Sequence, residues 1–409
     1  MLTCFRSVES SGRAVDFRIV SETLRKDLSM RFCIVSQNVV KGDGQGRANY
    51  EIVKEAIRRG HHFTLIASKV ADDLLESDQV SWVNISVKHL PSILLRDLVF
   101  SWQSTQWLKQ NRKTLDAVQV YGCVTAFPGD VNTVQFLHNG WLRSPVHTAR
   151  QRKDILGKYQ WLYTSLNAHW EKRALSQAKV VIAVSKRVEQ ELLSVGVDED
   201  RVRVIFNGVD VQEFVPGERE RSDWGLPEGV PMALFVGDIR SNRKNLETVL
   251  NAMVTVPNLH LTVVGSTEGS PYIERAKTLG IGDRVHFLGY RLDVAEIMKA
   301  VDFFVFPSRY EPFGMVVTEA MATGLPVITC ATTGASEVIT PAAGIVLPES
   351  EDVEALSKAL ATLADNPEQR HQMGKAGRAI VEDHSWVSKA QKYIDLLEAL
   401  GKSAQLVPA

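Results

Sequence analysis

Val305-Phe-Pro-Ser-Arg-Tyr-Glu311-Pro-Phe-Gly314-Met-Val-Val-Thr-Glu319-Ala-Met-Ala-Thr-Gly324-Leu-Pro-Val-Ile328 is the stretch on which the reading of this 409-residue chain turns. Apolar runs of strand length, 302–306 and 325–329, bracket a polar loop and a segment rich in Ala, Met and Glu. Gly314 opens that segment and Gly324 closes it, which predicts strand, loop, short helix, strand. Pro312 biases its predecessor away from helix, so Glu311 is read as a loop residue and Glu319 as a helical one.

A helix starting at Phe313, Gly314 and Met315 aims unpaired N–H groups and the positive end of its dipole past the first strand, where phosphate is a common guest. Glu319, more than a turn into that helix among apolar neighbours, is costly to bury without a partner. A diol such as a ribose would donate to both of its oxygens. Two exposed carboxylates are the plainer alternative, and two Glu at this spacing settle nothing alone.

Glu-Pro-Phe-Gly followed by Glu-Ala-Met-Ala-x-Gly-Leu-Pro-Val, with seven residues between Glu311 and Glu319, resembles the signature of retaining glycosyltransferases of family 4. The resemblance implies the GT-B architecture: α/β, two doubly wound parallel-sheet (Rossmann-like) domains facing across a crevice. It implies a nucleotide-sugar donor held on the second domain, Glu311 on the sugar hydroxyls, Glu319 on the ribose, and retention of anomeric configuration.

Downstream of the linker, 232–237 reads as a strand followed by Asp238-Ile-Arg240-Ser-Asn-Arg243-Lys244 and a helix. Cations after the first strand of a nucleotide-type domain can neutralise a diphosphate, although a merely charged loop has the same composition. In the family an Arg after the glycine and a Lys further on grip the diphosphate. Lys244 fits the second role, Asp238 stands where the Arg is expected, and Arg240 or Arg243 must replace it.

Upstream, 31–37 reads as a strand, followed by the turn Lys41-Gly-Asp-Gly-Gln-Gly-Arg47 and a helix ending before Gly60. Gly44 and Gly46 let backbone N–H groups approach a ligand closely, yet the alternation is not the dinucleotide fingerprint. Residues 131–137 form a strand ending at His138-Asn-Gly-Trp141, at the crevice side of an open sheet. An isolated His138 reads as structural, whereas the resemblance implies that it touches the transferred sugar.

The apolar stretch 90–107 reads as a core helix ahead of a helix on a lipid surface. From Arg143 to Arg187 ten basic residues face two acidic ones, interleaved with Tyr159, Trp161, Tyr163 and Trp170. That pattern suits an anionic acceptor or an anionic membrane, or else a solvated helix face. Asn207-Gly-Val-Asp210 resembles the family's exit from its first domain, and 214–230 turns to Pro, Gly and charge. The expected layout is a leader at 1–29, an acceptor-side domain at 30–215, a donor domain at 216–385, and a terminal helix, 386–409, crossing back.

A net charge of −1 offers no basis for wholesale nucleic-acid binding. Cys4, Cys33, Cys123 and Cys330 lack metal-ligand spacing and read as reduced thiols in a cytoplasmic protein, with peripheral contact at the inner face of the membrane as a further expectation. No Asp-x-Asp pair stands in a convincing loop, so transfer is expected without a metal or other cofactor, to a glycan, lipid-linked or small-molecule acceptor in surface-polysaccharide synthesis. A nucleotide-sugar epimerase of this fold and a silent nucleotide-sugar binder are the alternatives. A dehydrogenase is the weakest, because the glycine pattern is wrong.

Overall fold

The computed structural model describes residues 29–42 and 44–405. The leader expected at 1–29 therefore lies outside the described residues except for Ser29, as does Cys4. Described strands of the first half are β1 (Arg31–Val35), β2 (Asn38–Val39), β3 (His62–Ala67), β4 (Lys69–Val70), β5 (Val80–Asn84), β6 (Ala117–Tyr121), β7 (Val131–Val134), β8 (Val180–Ala183) and β9 (Val202–Val204). Those of the second half are β10 (Met232–Val236), β11 (His260–Val264), β12 (Val285–Gly289), β13 (Phe303–Phe306), β14 (Val327–Cys330) and β15 (Gly344–Leu347).

The first half builds a seven-stranded sheet in the order β5-β3-β1-β6-β7-β8-β9, and the second a six-stranded sheet, β12-β11-β10-β13-β14-β15. Short strands β2 and β4 pair beside the first sheet. Every pairing is parallel, with Ile34 opposite Leu65 and Gln119 in the first sheet and Leu234 opposite Thr262 and Phe304 in the second. Parallel strands carry helices on both faces, so they are buried twice over and read as unbroken apolar runs. All five residues of β6 and all four of β13 are buried. Each phenylalanine of β13 contributes about 2 kcal/mol by leaving water.

Both sheets start in the middle, run outward, and then return past the first strand to continue on its other side. The reversal falls between β1 and β6 and between β10 and β13. Connections there leave for opposite faces, which opens a crevice at the carboxyl ends of the strands. The expected pair of doubly wound parallel-sheet domains is what the chain forms.

Helix Trp386–Gln405 docks on helix Gly44–Arg59 of the first domain. Tyr393, Ile394 and Leu397 enter the core containing Phe32 and Ile52. Arg59 binds Asp395 at 2.6 Å and Glu398 at 3.0 Å. The two segments that pass between domains lie side by side: Val209 N–H donates to His384 O (3.0 Å) and Trp386 N–H to Val209 O (3.2 Å).

Three local expectations are corrected. Gly44 and Gly46 are not turn residues, because the helix already begins at Gly44. The stretch read as a core helix forms Ile93–Asn111, which buries only Phe100, Ser104, Thr105 and Leu108 while Ile93, Leu98 and Trp102 face solvent. Residues 214–230 are not a free linker: Phe214 is buried, and Arg221 donates to Ala300 O and to Asp302 on the second domain.

Candidate functional site

The second domain supplies one wall. After β13 the backbone of Glu311 is locked to a neighbouring loop, its N–H donating to Thr332 O at 3.1 Å and its carbonyl accepting from Gly334 N–H at 2.9 Å. Gly314 sits at φ +91°, where a Cβ would lie 2.9 Å from Thr333 Cγ2 and 3.0 Å from Glu311 Cγ, so only glycine leaves this loop its shape. Helix Met315–Ala322 then begins without a side-chain cap, and buried Phe313 precedes it. Val317 N–H turns back onto Gly314 O at 3.0 Å, and the N–H groups of Met315 and Val316 precede it at the open helix start.

Opposite this loop stands the one after β10. Asn245, the one described non-glycine residue with positive φ, caps helix Leu246–Met253 and donates to Pro307 O at 3.0 Å and Ser350 O at 2.7 Å. That buried amide ties the two loops together and delivers Lys244 to Glu311, where they form an ion pair. Arg243 Nη1 lies 3.6 Å from the same carboxylate. Burial alone would raise the Glu311 carboxyl, but Lys244 and Arg243 outweigh it and hold it below the usual carboxylate range. Arg240 turns back onto Asp238 at 3.0 Å, half exposed, so of the two arginines Arg243 is the one at Glu311.

Glu319 points elsewhere on the same helix, toward Arg47 and Glu213 of the first domain's rim. No described residue hydrogen-bonds its carboxylate. Burial pushes it up to about 7, and the Glu213 carboxylate adds to the rise. Gly44 meets this wall directly: a Cβ there would be 3.1 Å from Met315 Cε. Gly46 is buried two residues further along.

The first domain supplies the other wall. His138 begins helix His138–Arg143 directly beyond β7, its ring edge-on to Phe136 at 5.2 Å and to Tyr163 at 5.9 Å. Burial pulls the imidazole down to about 4, so it is neutral at pH 7. The backbone N–H of His138 donates to Glu171 Oε2 at 3.0 Å. A cavity of about 340 Å³ opens beside it, bounded by Gln37, Asp97, Cys123, Tyr163, Asn167 and Glu171 among others.

The walls meet on aromatic rings. Arg243 lies over the ring of Phe136 at 5.7 Å, so His138 and the Lys244–Arg243–Glu311 group flank one side chain. Tyr310 stands edge-on to the same ring and donates to Leu137 O (3.2 Å) and Glu191 (2.8 Å). Ser185 Oγ donates to Pro312 O, and Glu337 accepts from Lys186 N–H and Arg187 N–H, each at 2.8 Å. His138, Glu311 and Lys244 are thus gathered with the helix start beside Glu311, Glu319 faces the charges of Arg47 and Glu213, and Arg240 pairs with Asp238 instead.

Sequence reading passed over Asn245, Tyr310, Asp97 and Glu171. Tyr163, Asn167 and Glu171 recur every fourth residue, a spacing that places them on one stripe of helix Ile155–Gln177. Among the described residues no group of three or more His, Cys, Asp or Glu side chains is placed to hold a metal ion.

Two doubly wound domains opposed across such a crevice are the GT-B arrangement. Residues 217–380 match the family model of glycosyl transferases group 1, and residues 42–213 that of glycosyltransferase family 4. Between them the matches span both domains, and the chain is of the GT-B glycosyltransferase type, group 1 and family 4. It is 34% identical over 213 residues to the GDP-mannose-dependent monoacylated alpha-(1-6)-phosphatidylinositol monomannoside mannosyltransferase of Corynebacterium glutamicum, covering 47% of this chain and 55% of that protein. With the D-inositol 3-phosphate glycosyltransferase of Corynebacterium kroppenstedtii it shares 28% over 287 residues, 64% of this chain and 63% of the relative. The matches thus span less than two thirds of these relatives' length. The sucrose-phosphate synthase structure from Thermosynechococcus elongatus superposes with a TM-score of 0.75 at 22% identity, covering 91% of this chain and 100% of that one.

Proposed function

We propose that the chain transfers a sugar from a nucleoside-diphosphate sugar to a hydroxyl of a glycan, lipid-linked or small-molecule acceptor, with retention and without a metal ion. The observation that carries this reading is that Lys244 and Arg243 meet at Glu311 beside the uncapped helix start, with Arg243 over the Phe136 ring and neutral His138 edge-on to that ring. In the reaction the bond from the anomeric carbon to the diphosphate breaks, a bond from that carbon to the acceptor oxygen forms on the same face, and the hydroxyl proton leaves with the diphosphate. The difficult charge is that of the departing diphosphate, and preorganised cations and N–H groups in a water-poor crevice stabilise it. Lys244 and Arg243 then share their charge between Glu311 and the phosphates. Glu311 accepts from sugar hydroxyls, Glu319 from the ribose, and His138 contacts the sugar from the acceptor side. The GDP-mannose dependence in the name of the Corynebacterium glutamicum relative supports a nucleotide-sugar donor.

Action at the inner face of an anionic membrane is part of the same reading. No described helix is long and apolar enough to cross a membrane. Yet Trp102 (64% exposed), Ile155 (87%) and Trp161 (56%) project from two neighbouring helices in a region rich in Lys and Arg, the pattern of an interfacial contact.

Thermal-shift screening against nucleoside-diphosphate sugars, followed by acceptor-dependent release of the nucleoside diphosphate in the presence of a chelator, tests the proposal. Stabilisation by at least one donor and its loss in Lys244→Ala are expected. A chain that binds no nucleotide sugar would sink the reading.

A further inference from the structure

Resting on the reading above, this inference concerns what sits opposite the donor. The described lining of the cavity beside His138 offers carboxyl groups and no cation. Asp97 and Glu171 stand in its wall, and no Lys or Arg is among the residues that line it. Lys244 and Arg243, the cations described above, are engaged with Glu311.

The two carboxyl groups are held in place from behind. Asp97 accepts from Gln37 Nε2 (2.6 Å) through Oδ1 and from Tyr163 OH (2.9 Å) through Oδ2, which fixes its plane and leaves each oxygen a further lone pair. Glu171 is 1% exposed and accepts from His138 N–H through Oε2, while its Oε1 has no hydrogen-bond partner. An orphaned buried oxygen is costly unless a ligand completes it. Burial pushes the Glu171 carboxyl up to about 8, and in its protonated form it can donate as well as accept.

Amide and hydroxyl groups complete the wall. Behind the wall Asn132 holds the lining Gly122 through both its side-chain N–H and C=O at 2.8 Å, and in the wall Asn167 accepts from Cys123 Sγ at 3.3 Å. Carboxyl groups, amides and an aromatic ring suit a neighbour rich in hydroxyls. A phosphate would meet the Asp97 carboxylate, which only accepts, and no Lys or Arg among the described lining to balance it.

We propose that the cavity beside His138 takes an uncharged, polyhydroxylated acceptor, and that Asp97 and Glu171 read its hydroxyls and reject phosphorylated ones. The basic surface of helix Ile155–Gln177 then serves a different contact from acceptor recognition.

The test uses the full chain with the donor found by thermal shift. Acceptor-dependent release of nucleoside diphosphate is compared for myo-inositol, methyl α-D-mannopyranoside and methyl α-D-glucopyranoside against D-inositol 3-phosphate, mannose 6-phosphate and glucose 6-phosphate. A neutral compound is expected to act with kcat/KM roughly a hundredfold above its phosphorylated counterpart. Asp97→Asn and Glu171→Gln are each expected to raise its KM roughly tenfold, with the donor KM serving as the measure that the fold is intact. Phosphorylated compounds acting equally well or better, or no neutral compound acting while donor still binds, overturns the proposal and leaves donor use standing. An unchanged acceptor KM in both variants also overturns it. Failure to bind any donor removes the functional reading instead, and this inference with it.

Discussion

Glu319 is a carboxyl pushed up to about 7 by burial and by the Glu213 carboxylate, so near neutrality it is divided between two protonation states. The folded value lies above the unfolded one, so the folded chain holds the proton more tightly. Its contribution to stability is full below the ordinary carboxyl range and is lost as pH rises through about 7. A ribose diol needs the ionised form, so donor affinity should rise roughly tenfold per pH unit up to about 7 and then level off. Glu319→Gln should flatten that profile in titration calorimetry from pH 5.5 to 8.5, and a slope unchanged in the variant would count against the ribose contact. At Glu311 the conservative change to Gln removes the charge that Lys244 and Arg243 balance. We expect kcat to fall about a hundredfold while donor KM moves little, read from steady-state release of nucleoside diphosphate. Both residues were legible through the resemblance of the stretch around them, since two carboxylates at that spacing settle nothing alone. Asp97 and Glu171 were not: a polar stripe facing a cavity has the same composition as one facing water, and only the tertiary packing of helix Ile155–Gln177 tells them apart.

Elements follow from the chain wherever burial is two-sided. The runs at β10 and β13 are wholly apolar, and β1 and β14 hold only Arg31 and Thr329 besides, which made the parallel sheets readable before any coordinates. Helix Ile93–Asn111 misled because its exposed face carries Ile, Leu and Trp, so that composition and burial part company. Loops depend on backbone proximity that sequence does not display. Behind the Asp238 loop, Gly265 packs so closely that a Cβ would lie 2.2 Å from Gly237 O, whereas one on Gly42 meets nothing within 4 Å. Gly265→Ala should therefore cost on the order of 1–3 kcal/mol in urea unfolding and weaken donor binding, while Gly42→Ala should be close to neutral. Equal stability of the two variants would refute the close packing of these turns.

At the scale of the whole molecule the domains touch through Tyr310, Ser185, Arg243 and Glu337 among others. Glu337 of the second domain caps helix Lys186–Ser194 of the first through two N–H groups, a contribution of about 1 kcal/mol. Glu337→Ala should widen the free protein, seen as a larger radius of gyration in solution scattering, and a bound donor should shrink it again. No change in the free variant would show that the cap does not restrain the halves. Legibility stops at this scale, since a carboxylate capping a helix more than a hundred residues away has no local signature. The hydrogen bonds joining Val209 to His384 and Trp386 have a mechanical result. Because the polypeptide passes from one half to the other along two adjacent, cross-linked tracks, the halves are mounted like a door on a narrow hinge. Twisting would shear those tracks and sliding would stretch them, which leaves a swing as the cheap motion. The far lip of the opening then travels most, and the pivot side keeps its alignment each time a substrate enters or a product leaves.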